Sequence, residues 1–480
     1  MASIKSNFIY NSFLMVSNYL INLILFPYCA RVLGVERFGT INFAQNIIQY
    51  FLFIAMMGIT HIGVREIAKQ TSTEDRNITF SSLFALNLIY TLIALVIYLP
   101  LVFCVDRFWD QKSLFLLGSL QILFTTFTIE WYFRGTEDFR YITLRNVGIK
   151  VAYLISVFCL VRKPDDYILF FFLTVLMTLV NAIVNYWYAQ KSVHFSLKRL
   201  KLGLYLKSSL SLGAYSILTS MYTTFNVAFL GFIWNDIQVG YYTTSLKLYT
   251  VILGFYSAFT GVMLPRMTSI NESGDKASFS GLIEKSFELL YTIAMPLVMV
   301  LFVFAPELVA LFAGKGYEPA IDMSRIVIPM LLVVGIAQIL SFQVLIPKGY
   351  DKVTLYASII GALVGVSANC FLTIKMAAIG TCFCVVITEC CVTAYYLYVV
   401  HAKKLIHFNT KKIMLHFITS LPYAVICYIL QNYFSNSYIF ELCSAFMLCG
   451  LYFVLSQYFI IRNQLVRVFV SNLFNNTALN

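Results

Sequence analysis

FTIEWYFRGTEDFRYITLRN, residues 127 to 146, places Glu130, Arg134, Glu137, Asp138, Arg140 and Arg145 within twenty residues of a chain that is 60% hydrophobic and 12% charged. Such a cluster is either a solvated surface loop of a globular protein or a headgroup-level turn between two membrane spans. Its flanks decide. Apolar runs at about 113–134 and 143–161 lie on either side of it, each near the roughly 20 residues that cross a hydrocarbon core of about 30 Å. A mean hydropathy of +0.80 over 480 residues leaves too little polar surface to coat a soluble globule.

Extending outward, the same pattern recurs. Further runs lie at about 9–32, 38–60, 79–103, 167–189, 208–233, 240–264, 287–312, 321–346, 353–374, 377–400, 413–432 and 437–461, making about fourteen transmembrane helices in an all-α integral membrane fold. The alternating ten-residue strands of a membrane barrel do not occur. Positive charge in short loops marks the cytoplasmic side. With the N-terminus inside, 23 of the 34 Lys and Arg residues fall in inside segments and 9 in outside ones, so both termini are expected in the cytoplasm. The formal charge of +12 follows from this bias and from anionic lipid headgroups, which argues against nucleic-acid binding.

The first apolar stretch follows Lys5, shows no small-residue cleavage site and is too long for a signal-peptide core, so it is expected to stay as a span. The eleven cysteines fall almost wholly within predicted helices without metal-site spacing. No nucleophile elbow, H-E-x-x-H or P-loop pattern occurs, so neither an enzyme, a metal nor a cofactor is expected.

The basic segment KSVHFSLKRLKLGLYLK, 191–207, reads as an amphipathic linker on the cytoplasmic leaflet. It divides the chain into helices 1–6 (1–190) and helices 7–12 (208–400), with two appended helices and a tail in 401–480. RFGTINFAQN (37–46) and QVGYYTTSLK (238–247) echo each other at an offset of 201 residues. Two six-helix pseudo-repeats around a central cavity are a transporter plan.

Charges inside spans are costly and persist where they meet water, a partner or a substrate. Lys247 lies early in helix 8, Glu389 lies mid-way along helix 12, and Arg31 and Arg37 bracket the outer end of helix 1. Asn42, Gln45, Asn46, Tyr222 and Asn226 add polar groups to helices 2 and 7. The lumen they describe is polar and net positive.

Several stretches taken in order resemble one family: ARVLGVERFGTINFAQ (30–45), GVREIAK (63–69), EWYFRGTEDFRYITLRN (130–146), SMYTTFNVAFLG (220–231), VGYYTTSLKL (239–248), LPRM (264–267), LFAGKGYEPA (311–320) and QVLIPKGYDK (343–352). The chain resembles the O-antigen flippases of the Wzx type, within the multidrug/oligosaccharidyl-lipid/polysaccharide exporter superfamily. It departs in carrying Asn226 where such sequences often have Asp, and in keeping only Asn369 of two asparagines in GALVGVSANC (361–370).

The resemblance implies transport of an undecaprenyl-diphosphate-linked oligosaccharide across a bacterial inner membrane by alternating access. A polysaccharide polymerase and glycosyltransferases would be its protein partners. It puts Arg31, Arg37 and Lys247 on the diphosphate, as basic groups suited to phosphate oxygens, and Glu389 on ion coupling. Arg65, Glu66, Glu130, Arg134, Glu137 and Arg145 then form a cytoplasmic gate, with Glu137 reaching Arg140 across the turn. The rival readings are a peptidoglycan lipid-precursor flippase and a cation-coupled multidrug exporter of the same superfamily.

Overall fold

The computed structural model describes residues 4–196, 199–406, 410–433 and 438–461. Among them the regular structure is entirely helical. In chain order the α-helices are α1 (Ile4–Met56), α2 (Ile59–Ala68), α3 (Thr73–Cys104), α4 (Asp106–Trp109), α5 (Lys112–Thr126), α6 (Glu130–Gly135), α7 (Phe139–Leu160), α8 (Tyr167–Ala189) and α9 (Leu202–Ile233). They continue as α10 (Asp236–Glu272), α11 (Lys276–Val303), α12 (Ala305–Phe312), α13 (Ala320–Val327), α14 (Met330–Gln338), α15 (Asp351–Ala368), α16 (Ile374–Ala402), α17 (Thr410–Tyr433) and α18 (Tyr438–Leu455).

Among the described residues, ten helical stretches are long and apolar enough to cross a membrane, or eleven if the bent pair within α10 is one span. This is a multi-pass membrane protein. Two of the stretches are overlong: Ser12–Ala68 has 57 residues and Asp351–Ala402 has 52, each more than twice the roughly 20 needed for one crossing. Each is interrupted in a way that a run of apolar letters does not announce. α1 bends at Gly34, whose φ of 72° suits a residue without a Cβ, and Pro27 removes a helical donor about two turns earlier. α16 bends at Ala377, where φ is 50°, after a π-helical turn over Asn369–Thr373.

The apolar surface is what lipid requires. Val96, Leu363 and Phe446 are 71%, 66% and 83% exposed, and patches of such side chains on a soluble protein would drive aggregation.

By internal contacts the chain forms two units. One takes the chain up to Thr244 and adds Gly361–Cys384; the other holds Ser245–Ile360 and resumes at Val385. The first is built around an aromatic core in which Phe80 packs on Trp131 and Tyr132 with ring centroids 5.5 and 5.3 Å apart, joined by Phe84, Phe133 and Ile142. The second has a core of Phe304, Tyr423, Cys427, Leu430, Ala445 and Cys449. The starts of α3 and α7 carry side-chain caps: Ser72 accepts from the Asp75 N–H at 3.0 Å and Asp138 from the Tyr141 N–H at 3.2 Å.

Where an amphipathic linker is expected at 191–207, the described backbone is irregular up to Lys201 and helical from Leu202. It is tied to the start of α3. The N–H groups of His194, Ser196 and Lys201 donate to Asn77 Oδ1, Ser81 Oγ and Ser82 Oγ at 3.0, 3.0 and 2.9 Å. These side chains satisfy backbone donors that an extended segment would otherwise leave to water.

Candidate functional site

The first unit contains three polar clusters. One sits where the two echoing segments meet. Gly39 of α1 and Gly240 of α10 face each other so closely that a Cβ on Gly39 would strike the backbone of Asp236 and Gly240, and a Cβ on Gly240 would strike the Val35 carbonyl. This approach seats the buried Asp236 carboxylate among three groups. Arg107 forms an ion pair with it. Thr40 Oγ1 and Gln111 Nε2 donate to its Oδ2 at 2.6 and 2.7 Å. Arg107 also lies over the Phe43 ring, 5.3 Å from its centroid. A Gly39→Val substitution is expected to cost about 1–3 kcal/mol by overpacking against backbone that cannot yield. Thermal unfolding in detergent beside Ser113→Ala, at an exposed position, checks it.

The second cluster centres on Glu130. Arg134 Nη2 meets its Oε1 at 2.8 Å, and Arg145, with only 4% of its side chain exposed, reaches Oε2 at 3.6 Å. Arg145 also donates to Asn185 Oδ1, and Asn185 in turn donates to the Thr128 carbonyl. Tyr141 donates to Asn185 at 3.0 Å and stacks on Tyr188 with centroids 3.7 Å apart, while Tyr188 donates to Asp138 Oδ2 at 2.9 Å. Further along α7, Lys150 Nζ donates to Asn18 Oδ1 of α1 at 2.6 Å. Arg134, Arg145 and Lys150 stand against the carboxylates of Glu130 and Asp138, so this cluster carries one excess positive charge.

The third cluster is charge-free and centres on buried Asn226, Asn369 and Thr373. Asn369 Nδ2 donates to Asn226 Oδ1 at 2.6 Å and to the Gly365 carbonyl at 2.8 Å. Thr373 donates to Asn369 Oδ1 at 2.7 Å, and Trp234 Nε1 to the Thr373 carbonyl at 2.8 Å. The π-helical turn over Asn369–Thr373 thus has its polar groups satisfied by its own helix, by Asn226 of α9 and by Trp234 just beyond it. The two asparagines singled out from the sequence meet directly.

The remaining expected site residues are distributed as follows. Arg31 is exposed, and Arg37 lies over the Tyr167 ring at 4.7 Å. Asn42 donates back to the Phe38 carbonyl of its own helix at 2.7 Å. Gln45 and Asn46 are half-buried, with Asn46 Oδ1 enclosed and without a hydrogen bond. The Tyr222 side chain lies outside the described residues. Arg65 and Lys69 both pair with Glu66, at 2.8 and 2.9 Å. Glu137 is a correction: Asn7 Nδ2 approaches it at 3.4 Å, and no ion pair with Arg140 forms among the described residues. The φ of 60° at Glu137 belongs to a tight turn rather than to a helix, so the helical spacing that would bring the two side chains together is missing. Lys247 and Glu389 belong to the second unit, where Lys247 is exposed and Glu389 half-buried.

Sequence reasoning missed Arg107, Gln111 and Asp236, and it left Lys150 without a role. A signal for Asp236 did exist, since it stands two residues before the second echo, at the point where the glycine of the first echo must pack.

Solved structures share this multi-pass helical fold. The chain matches the "Lipid II flippase MurJ, inward closed conformation" with a TM-score of 0.79 at 15% identity, covering 94% of this chain and 98% of that one. It matches an inward-facing multidrug resistance MATE transporter of the MOP superfamily with a TM-score of 0.60 at 15% identity, covering 82% and 98%. The chain belongs to the polysaccharide biosynthesis protein family, whose model matches residues 4–271, more than half of its length. Among curated relatives, the "Putative O-antigen transporter" of Escherichia coli strain K12 is 25% identical over 413 residues, spanning 84% of this chain and 98% of that protein. That of Shigella dysenteriae is 25% identical over 362 residues, spanning 72% and 87%.

Proposed function

We propose that this protein is a flippase that moves an undecaprenyl-diphosphate-linked oligosaccharide, the repeat unit of an O-antigen or another surface polysaccharide, from the cytoplasmic to the outer leaflet of a bacterial inner membrane. The observation that carries the reading is the excess of positive charge around Glu130, with Arg145 buried, in a chain of this family. An anionic diphosphate suits such an interior, whereas a cationic drug would be repelled by it.

In this reading the chain makes fourteen crossings with both termini in the cytoplasm, the overlong Ser12–Ala68 and Asp351–Ala402 stretches each contributing two. The Asp236 cluster then sits at the outer end of its helices and the Glu130 cluster at the inner end. Asp236 with Arg107 acts as an outer lock, and Glu130 with Arg134 and Arg145, beside the Arg65–Glu66 pair, as the inner gate. Glu137 guards the same turn. Arg31 and Arg37 hold the diphosphate, with Asn42, Gln45 and Asn46 facing the sugars, while Asn226 stays buried against Asn369. An inside-negative potential favours outward movement of an anion by roughly 2.3 kcal/mol per charge per 100 mV. Glu389 takes the proton or sodium ion that resets the carrier.

The test is mass spectrometry of polyprenyl-linked lipids, with staining of surface polysaccharide, in a strain lacking the gene. Loss of surface polymer with accumulation of one lipid-linked oligosaccharide is expected. Accumulation of peptidoglycan precursor would replace this reading with that of the MurJ-like neighbour. Unchanged lipids with raised sensitivity to cationic compounds would replace it with a drug exporter.

A further inference from the structure

The second unit holds a cavity of about 530 Å³ that the transport reading leaves without a role. It lies between α11 and α17, beneath the turn before Lys276 and the segment Lys404–Ile406. Both flanking spans begin at its mouth, which therefore opens at the level of the headgroups. From Lys276 the slot follows α11 down to Tyr291, fifteen residues on, or about 22 Å at 1.5 Å per residue. Its floor is apolar and aromatic: Phe279, Ile283, Phe287 and Tyr291 are buried, and His416 of α17 faces the Tyr291 ring at 6.3 Å. Its volume is in the range of pockets that hold small ligands.

The rim is basic. Lys412 is engaged, meeting Glu284 at 2.9 Å and Glu288 at 3.7 Å. The Asp275 carboxylate caps α11, accepting from the Ser278 N–H at 3.0 Å, and these bonds hold it below the usual carboxylate range. The other three lysines, Lys276, Lys348 and Lys404, have no carboxylate partner among the described residues. The Lys348 ammonium instead stands over the Phe279 ring at 4.7 Å, where polar rim and apolar floor join. Four lysines against three carboxylates leave a net charge of +1 at the mouth.

We propose that this slot binds one anionic phospholipid, its phosphodiester held by Lys276, Lys348 and Lys404 and one acyl chain laid along Phe279, Phe287 and Tyr291. A monoanionic phosphodiester neutralises the mouth. A diphosphate would leave it negative beside Glu284 and Glu288, which favours a bulk phospholipid over the transported lipid as occupant. The site goes beyond the flippase reading and its test does not depend on transport; only the leaflet it faces, the cytoplasmic one, follows from the topology proposed above.

The experiment is native mass spectrometry of the full-length protein in mild detergent, with phosphatidylglycerol, phosphatidylcholine or undecaprenyl diphosphate added. One phosphatidylglycerol is expected to survive detergent removal and phosphatidylcholine is not. The triple variant Lys276→Gln, Lys348→Gln, Lys404→Gln should reduce the bound fraction about tenfold, in line with the loss of about 1.4 kcal/mol of binding. Lys411→Gln, outside the slot, should leave it unchanged. All four positions lie at helix ends or in loops, so thermal unfolding should match the wild type. Equal retention of phosphatidylglycerol by the triple variant, or equal retention of phosphatidylcholine, overturns the proposal. Displacement of phosphatidylglycerol by equimolar undecaprenyl diphosphate also overturns it, by giving the slot to the transported lipid.

Discussion

Asp236→Ala is expected to lower the unfolding free energy by about 3 kcal/mol, the range for removing one partner of a buried ion pair. The carboxylate takes one ion pair and two further hydrogen bonds, from Arg107, Thr40 and Gln111. Its loss leaves a guanidinium and an amide in an enclosed space without an acceptor. The Arg107 side chain retains 29% exposure, so water recovers part of the cost and the upper end of the range is not reached. Asp236→Asn keeps the shape and one acceptor oxygen, and should cost less than half as much. Denaturation in detergent, run as a double-mutant cycle with Arg107→Ala, should give a coupling of at least about 1 kcal/mol. A value near zero would mean that the cluster is solvated and cannot act as a lock.

The ease with which parts of this architecture could be read from sequence follows from the range of the interactions involved. Membrane crossings depend on local composition, so apolar runs such as 79–103 and 143–161 coincide with α3 and α7. Glu130 with Arg134, and Arg65 with Glu66, depend on spacing along one helix, and both pairs form. Helix breaks depend on single residues. The non-helical backbone at Gly34 and Ala377 has no compositional marker strong enough to separate it from the surrounding span. The Asp236 cluster is the opposite case to the helical pairs. Arg107 and Asp236 lie 129 residues apart, and each alone looks like an ordinary loop charge. Only the close approach of Gly39 to Gly240 brings them together. Lys150 shows the same limit, because its partner Asn18 is 132 residues away. Glu137 and Arg140 show the reverse error: a spacing that would pair on a helix fails on a turn.

Glu130 offers the sharper test, because its cluster is unbalanced where that of Asp236 is closed. Glu130→Ala removes the only carboxylate paired with Arg134 and Arg145 among the described residues. Arg134 is 44% exposed and can turn to water, but Arg145 is 4% exposed and must stay charged, since a guanidinium does not release its proton in proteins. The expected cost is about 2–4 kcal/mol, nearly all of it from Arg145. Arg145→Ala alone should cost less, because Glu130 keeps Arg134 and the amide of Asn185 keeps Thr128. The sign of the double variant follows: Glu130→Ala with Arg145→Ala should be more stable than Glu130→Ala alone. If the double variant is instead the less stable, Arg145 is held by Asn185 and the Tyr141 ring rather than by charge. The cluster would then be a packing element of α6 and α7, and the inner gate would have to rest on Arg65 and Glu66.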